Sequence, residues 1–228
     1  SMPALQKAEK MKKQAFADRY PYGIFSCIRT MGHIYKSRGN FDLSAQYYQE
    51  ALDYMLKNMP DQDPSQLYSS LAEYYRNTQK DYATALDYCE KALKSAKTER
   101  NIAQAMIEKC LVLFRQGRID EFNDCYKEAV QMADRCKLSA SVSLLIAHIS
   151  KNILDKQYEQ AHAHADQLSE KGLQQHAYIY ECAKDYPNAI KYLKKYHQQL
   201  DSTNNLLQLS DIAELNTQIG AERLKMEN

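Results

Sequence analysis

The stretch from Ile24 to Leu56 constrains the fold of this chain more than any other part of the sequence. Bulky and small side chains recur there at helical spacing on both sides of a Gly39-Asn40 turn signal. The residues that carry this spacing are Ile28, Met31, Gly32 and Tyr35 before the turn and Phe41, Tyr48 and Ala51 after it. The pattern predicts two antiparallel helices joined by a short turn, a repeat of about 34 residues.

Weaker versions of the same pattern recur along the rest of the chain. They predict helix pairs over residues 24–57, 65–97, 101–136, 139–169 and 170–200, with a leading helix at 1–22 and a capping helix at 204–228. In the second pair the turn, Asp81-Tyr82, comes one residue later than in the first. One such pair cannot bury its apolar face alone, so the pairs are expected to stack into an all-α array.

The set Gly32, Tyr35, Gly39, Asn40, Phe41, Tyr48 and Ala51 resembles the tetratricopeptide repeat (TPR) family. The resemblance implies a right-handed α-α superhelix in which the first helix of each repeat lines a concave groove. It also implies groove contacts at positions two, five, nine, twelve and thirteen of each repeat. The first positions are Phe25, Ser65, Ala103, Val142 and Glu170.

This register predicts a groove with two kinds of wall, and we interpret both as partner-binding. The polar, partly basic wall consists of Arg29, His33, Lys36, Arg76 and Asn77. The apolar wall, with one arginine, consists of Ile107, Leu111, Phe114, Arg115, Ile146 and Ile153. Together the walls favour a protein or peptide partner with hydrophobic anchors and an acidic end.

Two other interpretations of these walls stay open. The apolar wall is equally consistent with a face covered by the terminal helix, by superhelical closure or by a second protomer. The basic wall alone is typical of a solvated surface. Chaperone-binding TPR domains bind a carboxylate with residues at fixed groove positions. In this chain those positions are occupied by Arg29, His33, Ser70, Gln104 and Glu108. That subclass needs Lys and Asn, so chaperone-tail binding is not expected.

The two ends of the chain carry a narrower resemblance. The segments ALQKAEKMKKQAF and AELNTQIGAERLKMEN are similar to those flanking TPR arrays in bacterial membrane-anchored two-component sensor proteins. This implies a non-catalytic, extracytoplasmic sensing domain that belongs to a longer parent, with membrane contact only through the parent. The alternatives are a cytoplasmic scaffold or adaptor and a homodimerising structural module.

Composition and motifs exclude several other functions. A formal charge of +1 argues against nucleic-acid binding, and no run of about 18 apolar residues predicts a membrane span. We find no phosphate loop, zinc-finger spacing or nucleophile motif, so neither an enzyme nor a cofactor is expected. His162 and His164 point to opposite sides of a helix, and His162 with Asp166 makes only a weak two-ligand metal site. The six cysteines are predicted to be free, buried thiols, a usage typical of a reducing compartment.

Overall fold

The computed structural model describes residues 2–138, 140–169, 172–203 and 206, and this part of the chain contains helices and no strand. The α-helices are α1 (Met2–Ala17), α2 (Pro21–Ser37), α3 (Phe41–Asn58), α4 (Ser65–Tyr74), α5 (Tyr82–Ser95), α6 (Glu99–Gln116), α7 (Ile119–Arg135), α8 (Val142–Leu154), α9 (Tyr158–Ala165) and α10 (Gly172–Cys182). Residues 186–203 form a further helix, α11. The predicted all-α class is confirmed. The predicted capping helix at 204–228 lies outside the described residues, apart from residue 206.

The chain divides into two compact units, and the first combines Ser1–Tyr47 with Lys194–Asn228. Within it, α1 packs against α2. The small side chains Ala8 and Ala15 are buried on α1, and Ile28 is buried on α2. Tyr35 stacks on Tyr47 with ring centroids 5.3 Å apart, which ties the end of α2 to the following helix.

The second unit, Tyr48–Leu193, is built around α6. This helix packs against α4, α5, α7 and α8, and its buried residues cover every side of the helix. Its central position among four helices, rather than a uniformly apolar surface, accounts for this burial, which includes the charged Glu108. Phe122 of α7 and Leu144 of α8 complete the core around it, and both are at most 1% exposed.

The helix ends follow from local sequence. Asp81, Thr98 and Ser141 are N-cap residues whose side chains each accept a backbone N–H of the first turn. Gly117 ends α6 with a φ of 73°, a left-handed conformation that costs glycine little. Gly39 has a φ of 74° at the predicted first turn.

A single turn of π-helix, Tyr75–Gln79, interrupts the second repeat after α4. The backbone N–H of Asp81 donates to the carbonyl of Tyr75, so this hydrogen-bonded turn contains more residues than an α-helical turn does. A π-helical turn accommodates one inserted residue without ending the helix. This explains why the Asp81-Tyr82 turn comes one residue later than its counterpart in the first repeat.

Candidate functional site

A polar cleft of about 310 Å³ lies across the first helices of three successive repeats in the second unit. Its lining residues are Gln66, Ser69, Ser70 and Glu73 from α4, Gln104, Ile107 and Glu108 from α6, and Ser141, Val142 and Ser143 at the start of α8. The α4–α6 and α6–α8 contacts hold these three helices side by side. Hydroxyl and amide groups dominate the lining, and each can both donate and accept hydrogen bonds.

The predicted groove register agrees with this cleft. Positions two, five and nine of the second, third and fourth repeats include Gln66, Ser69, Glu73, Gln104, Ile107 and Ser143, and all six line it. Ser70 and Glu108 also line it. Of the eleven residues predicted to form the groove walls, only Ile107 lines this cleft, and the other nine lining residues were not among those eleven. The only signal for Ser141 was its suitability as the N-cap of α8.

The lining residue Glu108 belongs to a buried ion pair. Arg76 Nε donates to Glu108 Oε1 at 2.6 Å, and both side chains are only 6% exposed. Burial opposes the charged form of Arg76, but the neighbouring Glu108 carboxylate raises its pKa overall. The guanidinium also donates to Asn77 Oδ1 at 2.7 Å. The predicted basic character of Arg76 is therefore neutralised internally, because its charge is paired before any partner arrives.

The other members of the predicted basic wall lie on α2, in the first unit. Arg29 is half-buried with its guanidinium 5.2 Å from the ring centroid of Phe25, His33 is exposed, and Lys36 is half-buried. Partial burial lowers the pKa of His33, and the charges of Arg29 and Lys36 lower it further. His33 therefore adds little positive charge at neutral pH.

The predicted apolar wall is largely interior. Ile107 is 1% and Leu111 2% exposed, because α6 lies between α4 and α8 and its groove-side positions contact those helices. Their side chains fill the core, apart from the edge of Ile107 that reaches the cleft. Phe114, Ile146 and Ile153 are half-buried, and Arg115 is exposed with its guanidinium 4.9 Å from the ring centroid of Tyr178. A continuous open apolar wall is therefore not formed by these six residues.

Four of the six histidines lie where α8, α9 and α10 meet, and no sequence motif predicted this cluster. His148 stacks on His164, and His162 stacks on His176, with ring centroids 4.9 Å apart in both pairs. Ring nitrogens of His148, His162 and His176 contact neighbouring side chains, whereas His164 Nδ1 is buried without a hydrogen-bond partner. These contacts are Tyr126 Oη to His148 Nδ1 at 2.5 Å, His162 Nδ1 to His176 Nδ1 at 2.7 Å, and His176 Nε2 to Asp166 Oδ1 at 3.0 Å.

The contacts of His162, His164 and Asp166 can be compared with the weak metal-ligand pair considered from the sequence. His162 and His164 do point to opposite neighbours, as predicted, and Asp166 contacts His176. Among the described residues, no group of three or more His, Cys, Asp or Glu side chains is arranged to hold a metal ion. In the same part of the chain, no helix is long and apolar enough to cross a membrane.

The histidine cluster predicts acid-sensitive stability. Burial lowers the pKa of His148, His162 and His164 below the ordinary histidine value of 6.5, against weaker opposing effects of Asp134 on His148 and Asp166 on His162. Below that value the unfolded chain binds more protons than the folded chain. We expect the free energy of unfolding to keep its full value above about pH 6.5 and to fall as the pH drops below it, measured by urea denaturation at a series of pH values.

Matched variants test the source of this pH dependence. His148→Gln should reduce it, whereas the same change at the exposed His197 should leave it unaltered. A wild-type free energy of unfolding that stays flat across this pH window would contradict the prediction.

Comparison with known proteins agrees with this architecture. Residues 29–63 match the family model for the tetratricopeptide repeat. No curated protein matches the chain. Among solved structures, the crystal structure of BtubC (BKLC) from P. vanneervenii is similar, with a TM-score of 0.55 and 16% identity over 89% of this chain and 92% of that one.

These similarities establish fold and broad role. At this level of identity the structural likeness concerns the fold alone, and it confirms the predicted TPR-like helical array. The matched repeat indicates a protein-interaction module, and neither similarity points to a catalytic family.

Proposed function

We propose that this chain is a non-catalytic interaction module that binds a peptide segment of a partner protein in the cleft formed by α4, α6 and α8. The observation that carries the proposal is the convergence of polar side chains from three successive first helices on one 310 Å³ depression. That volume lies at the lower end of the range for ligand pockets, which suits a short peptide segment.

The lining chemistry narrows the kind of peptide. Serine hydroxyls and glutamine amides suit a backbone or amide side chain, while Val142, 45% exposed at the edge, offers a small apolar contact. The charged groups of the lining are the carboxylates of Glu73 and Glu108, and Glu108 is paired with Arg76. With Glu73 added, the formal charge of the three groups together is negative, which disfavours an acidic peptide, so we replace the acidic end expected from the sequence with a neutral or basic segment.

The test is a random-peptide phage-display selection on the whole chain, followed by fluorescence-polarisation affinities for the selected peptides. Gln104→Arg and, separately, Ser143→Arg place a long cation in the cleft and should weaken binding at least about tenfold, roughly 1.4 kcal/mol. The matched control Gln131→Arg makes the same substitution on the exposed face of α7 and should bind like the wild type.

Circular dichroism of each variant shows whether the fold is intact. If folded Gln104→Arg and Ser143→Arg variants both retain wild-type affinity, the cleft is not the binding site. If the selected peptides instead respond to changes at Arg29 or Lys36, the site lies on the first unit.

We further propose that this module serves as the sensing region of a bacterial membrane-anchored signalling protein, on the sequence resemblance of its two ends. Its compartment would then be extracytoplasmic, whereas a scaffold or adaptor would be cytoplasmic. The full open reading frame separates these roles, because only the sensor parent encodes a membrane span and an output domain. Light scattering that shows a concentration-independent dimer would favour the homodimerising module.

A further inference from the structure

Two of the six cysteines meet inside the α6–α7 helix pair. Cys110 Sγ on α6 and Cys125 Sγ on α7 are 2.9 Å apart. All six cysteines are free thiols, but only three are fully buried, whereas burial was predicted for all six. The sequence separation of this pair matches no redox motif. The two thiols are brought together by packing alone, because α6 and α7 lie in contact along their length.

The hydrogen bonds give the two thiols different characters. The Cys110 S–H donates to Cys125 Sγ, and Cys125 Sγ in turn lies 3.5 Å from the backbone carbonyl of Met106. A thiol donor stabilises a thiolate on the acceptor sulfur, so this bond lowers the pKa of Cys125, and Lys109 adds to the effect while burial opposes it. The same bond, together with burial, raises the pKa of Cys110.

Access also differs between the two sulfur atoms. Cys110 is fully buried in the core cluster with Leu113 and Phe122, whereas Cys125 is half-buried at its edge. A small oxidant can therefore reach Cys125 first, with Cys110 held within bonding reach behind it. Cys89 is also 0% exposed with its pKa raised by burial, but unlike Cys110 it makes no such short contact with the Cys125 sulfur.

We propose that Cys110 and Cys125 form a reversible dithiol–disulfide site that is oxidised by hydrogen peroxide. The Cys125 thiolate attacks one peroxide oxygen, an S–O bond forms as the O–O bond breaks, and the released hydroxide takes up a proton to give water. Cys110 sulfur then attacks Cys125 sulfur, the S–O bond breaks, and the second hydroxide leaves as water with the Cys110 proton. Two thiols and one peroxide yield one disulfide and two waters, with two electrons passing from sulfur to oxygen.

This site does not depend on the peptide-binding proposal, but it bears on the same helix. Oxidation would link α6 to α7 covalently near Gln104, Ile107 and Glu108, the α6 residues that line the cleft. A small-molecule dithiol such as dithiothreitol would restore both thiols by exchange.

The experiment treats the folded whole chain with a small excess of hydrogen peroxide and then counts thiols after unfolding under non-reducing conditions. We expect two of the six thiols to be lost, a mass decrease of about 2 Da, and full recovery with dithiothreitol. Differential alkylation with peptide mapping should find Cys110 joined to Cys125. This measurement needs no variant, so it stands even if a cysteine substitution disturbs the core.

Matched variants complete the test. Cys110→Ser and Cys125→Ser should each abolish the loss of two thiols and the disulfide, and in Cys110→Ser the oxidation of Cys125 should stop at the sulfenic acid, a gain of one oxygen. Cys136→Ser, at a half-buried cysteine at the end of α7, should still form the disulfide. An unchanged thiol count in the wild type overturns the proposal. A disulfide joining other cysteines, an intermolecular disulfide, or irreversible oxidation at Cys125 overturns it equally.

Discussion

Glu108→Ala is expected to lower the free energy of unfolding of this protein by about 3–5 kcal/mol, the cost of leaving a buried charge without its partner. The guanidinium of Arg76 is 6% exposed and bonds to the Glu108 carboxylate at 2.6 Å. Removing the carboxylate leaves the cation in the interior without its directly bonded anion, while Asn77 Oδ1 still accepts from it and the charge of Glu73 still acts on it. Urea denaturation followed by circular dichroism measures the change.

Two controls separate the effect of burial from that of charge. Arg118→Ala breaks the Arg118–Glu121 pair, whose side chains are 44% and 56% exposed, and should lower the free energy of unfolding far less than Glu108→Ala does, because water screens an exposed pair. The double variant Arg76→Met/Glu108→Leu removes both buried charges and should recover most of the loss. A Glu108→Ala variant no less stable than Arg118→Ala would contradict the prediction. It would show that the Arg76 guanidinium reaches solvent once Glu108 is removed.

The fold could be predicted from sequence because it depends on local patterns. Gly39, at the Gly39-Asn40 turn, and Gly117, after α6, both have a positive φ. Glycine adopts this left-handed conformation at little steric cost, so its place in the sequence marks the turn. Even the irregular second repeat was visible as a turn delayed by one residue. What the delay meant was not visible, since an extra residue can lengthen a loop or form the π-turn at Tyr75–Gln79.

The candidate site was only partly predictable, because helical periodicity assigns a residue to a face and does not say what covers that face. Ile107 and Leu111 occupy groove-side positions, yet neighbouring helices cover them. Arg76 read as a basic groove residue because Glu108, its partner, lies on a different helix. The repeat positions therefore predicted where the groove lies better than the residue types at those positions predicted its charge and polarity.

The histidine and cysteine clusters illustrate the same limit. His148, His162, His164 and His176 come from three helices, and Cys110 and Cys125 from two. Neither set has the residue spacing of a recognised functional motif. Only the packing of whole helices brings these side chains together, so motif searches could not find them.

Phe122→Ala is expected to cost about 3–5 kcal/mol of the free energy of unfolding, as large-to-small changes at fully buried aromatic residues do. Phe122 is 0% exposed on α7, and its ring centroid lies 5.6 Å from those of both Phe114 and Tyr126. Truncation would remove both ring contacts and leave a cavity beside α6, which cannot collapse while four helices hold it in place. Urea denaturation of the whole chain measures the loss.

Phe41→Ala is the matched control, because it deletes the same side chain at the start of another second helix. The sequence pattern suggested that Phe41 fills the first turn, but it is 48% exposed, so its loss should cost less than about 1 kcal/mol. Sequence position alone would rank the two changes the other way round, since Phe41 belongs to the repeat with the clearest motif. Equal losses of unfolding free energy in Phe41→Ala and Phe122→Ala would contradict this prediction. They would mean that a residue's contribution to stability follows its match to the repeat motif rather than its burial around α6.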